Sequence, residues 1–199
     1  MKIALGLCCV AVGFLSLEST VAQPAGNQDM QEAMKALGML MNAGGTNTSA
    51  VNQRQLKDLL PAEFDGMKRS ASEAGKNAAF GMTVVFAEGT YGKGEPEVTI
   101  KLSDISSMGQ FMKMAQFAWT QTEMERETDE GYERTTKIGA HPAQERFVND
   151  GQRGEVQVMV DGRFMVEVTG RGLPMEKLHD LIKAVDLDKL AALKPETQN

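Results

Sequence analysis

Hydrophobic positions change their spacing several times along the chain, and each change marks an element. Met1-Lys2 precedes a mostly apolar run from Ile3 to Leu17, which closes on Thr20-Val21-Ala22. A positive start, an apolar core shorter than the ~20 residues a bilayer needs, and a small-x-small end predict a cleaved export signal over residues 1–22. Met30, Ala33, Met34, Leu37 and Met41 then recur at helical spacing, between Asp29 as an N-cap and Gly44-Gly45 as a stop. This predicts a short amphipathic helix with a methionine stripe. Residues 42–55, rich in Gly, Thr, Asn and Ser, read as a flexible linker, so residues 23–55 form a tethered helix ahead of the body.

From Leu56 the pattern becomes that of a folded domain. Leu56, Leu59 and Leu60 before Pro61 predict one helical turn that stops at the proline. Met82 to Tyr91 and Glu97 to Leu102 are strand-like, and Gly92 to Pro96 between them predicts an antiparallel hairpin. Ser107 to Gln110 fits a capping box, followed by Phe111, Met112, Ala115, Ala118 and Trp119 on the face of Met108. Tyr132 to Ile138 and Ala143 to Val148 read as strands around a turn at Gly139 to Pro142. Glu155 to Val160 and Arg163 to Thr169 flank Asp161-Gly162, which predicts a two-residue type I′ turn. Pro174 opens a final helix with Met175, Leu178, Leu181, Ile182 and Val185 inward. A short turn over Asp186 to Leu193 follows, and residues 194–199 form a polar tail. The order β-β-α-β-β-β-β-α predicts an α+β domain over residues 56–193, an antiparallel sheet with helices packed on one face.

Two stretches of this body resemble the PsbP/Mog1-type fold of exported and lipoprotein-borne small domains. One is the turn Gly139-Ala140-His141-Pro142-Ala143-Gln144-Glu145 entering a strand; the other is the Gly154–Thr169 hairpin feeding the helix after Pro174. The likeness spans Leu56 to Leu190. It implies an antiparallel sheet flanked by helices and a binding or assembly-accessory role, and it assigns no site residues.

Charge and composition narrow the functional classes. Acidic residues outnumber basic ones 27 to 21, and Lys68-Arg69 is an isolated adjacent basic pair, so the basic footprint of a nucleic-acid or anionic-membrane binder is missing. Cys8 and Cys9 both lie inside the export signal, where Leu7 and the continuing apolar run do not form a lipid-anchor pattern. The exported chain is expected to hold no thiol and no disulfide, leaving its core to stabilise it.

Catalytic and metal chemistries find few residues. There is no G-x-S-x-G elbow, and the two histidines read as solvated: His141 in its turn, and His179 on the polar side of the last helix. A zinc site needs three or four N, S or carboxylate ligands, which two distant histidines do not supply. The acidic run Glu123, Glu125, Glu127, Asp129 and Glu130 lacks the Asp-x-Asp-x-Asp-Gly calcium loop. Gly92-Lys93-Gly94 joins two strands, whereas a phosphate cradle leads from a strand into a helix. Met108 and Met112 read as core.

The sequence therefore predicts an exported, non-enzymatic binding or assembly-accessory protein with a protein partner in the cell envelope. It predicts no catalytic residue, cofactor, nucleic acid or membrane span. Met30, Met34, Leu37 and Met41 are the expected partner contacts. The alternative is a periplasmic metal-handling protein that binds Cu(I) through methionine thioethers, because soft ligands select soft metals.

Overall fold

Strand alternation, rather than helical periodicity, governs most of the body. The computed structural model describes residues 50–79, 82–108 and 123–195. In chain order these are α1 (Gln53–Asp58), β1 (Glu63–Phe64), β2 (Met67–Ala79), β3 (Met82–Gly92), β4 (Glu97–Asp104) and a 3-10 turn at Ser106–Met108. Then come β5 (Glu125–Thr128), β6 (Gly131–Ile138), β7 (His141–Val148), β8 (Arg153–Val160), β9 (Phe164–Arg171), α2 (Met175–Ala184) and α3 (Leu187–Ala191). All nine strands join one sheet in the order β1-β2-β3-β4-β9-β8-β7-β6-β5. Every neighbouring pair is antiparallel, so two meanders meet where β4 lies beside β9.

The fold is dominated by this sheet, which corrects the α+β class expected from the element order. The missing strands are those without a β-like composition. β2 reads MKRSASEAGKNAA, small and polar with no β-branched residue, yet it pairs along β3 from Arg69↔Tyr91 to Ala79↔Met82. Its neighbour makes it a strand, since β-propensity is mostly a matter of what a residue packs against. β5 comes from the acidic run, is fully exposed, and is held by its pairing to β6. The helix expected after Ser107 opens as a 3-10 turn, and its remainder, with Met112 and Trp119, lies outside the described residues. The residues of the expected export signal and of the expected helix from Asp29 to Met41 lie outside them too. No helix among the described residues is long and apolar enough to cross a membrane.

The packed body begins before Leu56, within the stretch read as linker. Asn52 caps α1 through a capping box with Gln55, and Val51 is buried. At the other end, Asp161 and Gly162 both take positive φ, as a type I′ turn requires. Val160 pairs with Phe164, however, so three residues rather than two separate the strands. The third, Arg163, is freed from the ladder and reaches inward. Its Nη2 donates to Asp104 Oδ2 at 2.9 Å and its Nη1 to the Leu193 carbonyl at 3.0 Å. Asp104 also accepts from the backbone N–H groups of Val51 and Ser106, both at 2.9 Å. One buried carboxylate thus ties both ends of the body to β4. Burial pushes its pKa up, but the bonds from Arg163, Val51 and Ser106 outweigh burial and hold it below the usual 3.8.

One face of the sheet carries the core. Val98, Ile100 and Leu102 of β4, Val156, Val158 and Val160 of β8, and Phe164, Val166 and Val168 of β9 are all buried. α2 seats Met175, Leu178, Leu181 and Ile182 against them, as its spacing predicted. Leu178 sits over a pair of facing glycines. A Cβ at Gly154 would lie 2.7 Å from Leu178 Cδ2, and one at Gly170 2.8 Å from its Cδ1. The helix approaches the strands closely because those side chains are absent.

Candidate functional site

Strand alternation puts Glu145 on the covered face, among apolar neighbours, where its side chain is fully buried. Both oxygens are engaged. Arg134 Nε donates to Oε1 at 2.5 Å from the adjacent strand, and His179 Nε2 lies 2.6 Å from Oε2, reaching down from α2. The Arg134 guanidinium lies over the Tyr132 ring at 4.9 Å, and that ring stacks on Phe147 with centroids 6.0 Å apart. Burial first, and then the Glu145 charge, raise the Tyr132 pKa above 10.0. His179 is therefore not the solvated helical residue its neighbours suggested, but a pin between α2 and the sheet. One signal for this was present in the sequence: within the strand Ala143 to Val148, alternation places Glu145 inward between Ala143 and Phe147.

The opposite face presents a different surface. A groove of about 540 Å³ crosses β7, β8, β9 and β4. One row across it is Val148, Arg153, Arg171 and Glu97; the next is Arg146, Glu155, Thr169 and Thr99. Gly154 and Gly170 form part of its floor, the same glycines that admit Leu178 from behind. Arg146, Arg153 and Arg171 are exposed, and among the described residues none of their side chains has an ion-pair or hydrogen-bond partner. Arg153 stands directly opposite Arg171, an arrangement that costs stability. The nearby carboxylates do not relieve it: Glu155 accepts from Gln157 at 2.7 Å instead. One row further on, burial and the Glu155 charge raise the Glu167 pKa above 4.5.

No protein-family model, curated protein or solved structure matches the chain.

The residues singled out from sequence fall in three places. Met30, Met34, Leu37 and Met41, the expected partner contacts and candidate thioether ligands, lie outside the described residues. His141 begins β7 rather than occupying a turn, and it pairs with Ile138 at the strand end. Gly92 and Gly94 serve the β3–β4 connection with positive φ, as the hairpin reading required. Among the described residues, no group of three or more His, Cys, Asp or Glu side chains is arranged to hold a metal ion. The three arginines went unremarked in the sequence because they lie 7 and 18 residues apart and meet only through strand register.

Proposed function

We propose that this chain is an exported, non-enzymatic binding or assembly-accessory protein that meets a protein partner of the cell envelope on the open face of its sheet. The observation that carries the reading is the groove on that face, lined by exposed polar side chains and backed by a helix packed tightly behind it. A site built on rigid strands holds its side chains in place before the partner arrives. The polar groups of the covered face already have structural duties: Glu145 anchors α2 and Asp104 anchors the two ends of the body.

The test is a photo-cross-linking residue placed at Thr99 or Thr169 in the groove, and at Lys183 on the exposed side of α2, in the full chain exported to its native envelope. Adducts to one protein from Thr99 and Thr169, and none from Lys183, are expected. Adducts from Lys183 alone would place the contact on the helix side and contradict the proposal.

A further inference from the structure

We infer that the groove takes an acidic segment of the protein partner, one or more of whose carboxylates are held by Arg146, Arg153 and Arg171. This rests on the reading of the open face as the contact surface. Three observations carry it. Among the described residues the exposed guanidinium groups have no partner, although Glu97 and Glu155 stand beside them in the same two rows. Arg153 and Arg171 face each other across β8 and β9, a repulsion that a carboxylate between them would convert into two charge-assisted contacts. The groove lies on a chain of net charge −6, so its local excess of positive charge is not a general property of the surface.

The accompanying carboxylates narrow the ligand class. A nucleic-acid strand or an anionic lipid surface presents negative charge throughout and would bring phosphates against Glu97 and Glu155. An inorganic oxyanion would leave most of a 540 Å³ groove unfilled. A polypeptide satisfies both conditions: it spans several strands, places acidic side chains at the arginines, and offers amide or basic groups to Glu97 and Glu155. Thr169 supplies a hydroxyl for its backbone, while the Thr99 hydroxyl is shared with Thr90 at 3.2 Å.

The experiment is fluorescence anisotropy of the full exported chain with a labelled peptide alternating Glu and Thr and ending in one Lys. The control peptide carries Gln for every Glu, and inorganic phosphate at matched ionic strength serves as competitor. The acidic peptide is expected to bind, to weaken with salt, and to resist phosphate. Arg153→Gln with Arg171→Gln should weaken it roughly ten- to hundred-fold, the effect of losing contacts to a charged group. The charge-reversed pair Arg153→Glu with Arg171→Glu should instead favour a peptide with Lys in place of Glu. Equal binding of the acidic and Gln peptides, an undiminished affinity in the Gln variant, or displacement by phosphate would overturn the inference. If the acidic peptide fails while Thr99 and Thr169 still cross-link, the charge assignment falls and the contact face stands; cross-links from Lys183 alone remove the face itself.

Discussion

Glu145 and Arg146 are neighbours in β7, yet they meet opposite conditions on the two sides of the sheet. Glu145 is buried, and both of its oxygens are bonded to groups from another strand and from α2. Arg146 is exposed, and its side chain has no partner among the described residues. The same division runs through the sheet. Among the described residues, the buried charges of the covered face are Asp104 and Glu145, carboxylates that each bind one element to another. In the groove of the open face, arginines and carboxylates lie side by side without pairing among the described residues. A buried charge without a partner is expensive, so the fold tolerates it only when satisfied. An exposed charge carries little cost, so its placement is free to serve recognition.

That contrast is open to attack by substitution. The largest loss is expected at Asp104, where Asp104→Ala strands Arg163 and the Val51 N–H and removes the tie between the ends of the body. Urea unfolding should register a loss of about 3–5 kcal/mol, the range for breaking a buried pair. Arg134→Ala leaves the Glu145 carboxylate with His179 alone, and about 3 kcal/mol is expected, at the lower end because Arg134 is half exposed. Replacing both Arg134 and Glu145 by Leu should recover much of that loss, since no buried charge remains at that position. Gly154→Ala forces Leu178 to move within a filled core and should cost about 1–3 kcal/mol.

Smaller effects separate the faces by pH. The stability Asp104 contributes is present above the usual 3.8 and is lost as pH falls through its depressed folded value. Glu167, on the open side, has the opposite sign. Its folded pKa is raised above the usual 4.5, so it favours the fold below that value and loses this contribution as pH rises through the folded value. Glu167→Gln should therefore raise the urea midpoint at neutral pH, with the gain fading below pH 4.5.

Local pattern made part of this architecture legible. The inward face of α2, the β3–β4 hairpin and the Asp161-Gly162 turn all follow from spacing and backbone preference within a few residues. β2 escaped because its small polar residues become a strand only beside β3, and β5 because four exposed residues need nothing but an edge to pair with. His179 looked solvated because its partner lies 34 residues away in sequence. The groove required register: Arg153 and Arg171 become neighbours only once Val160 is set opposite Phe164 and the turn holds one residue more than its signature indicates.

The arginines of the open face are placed to meet a partner and take no part in holding the fold together. Equilibrium urea unfolding of Arg146→Gln with Arg153→Gln and Arg171→Gln tests this most directly. A stability within about 0.5 kcal/mol of the parent chain is expected, as for surface substitutions away from packed or bonded features. A loss approaching that of Arg134→Ala would contradict it, because it would show that these guanidinium groups serve the fold rather than a partner.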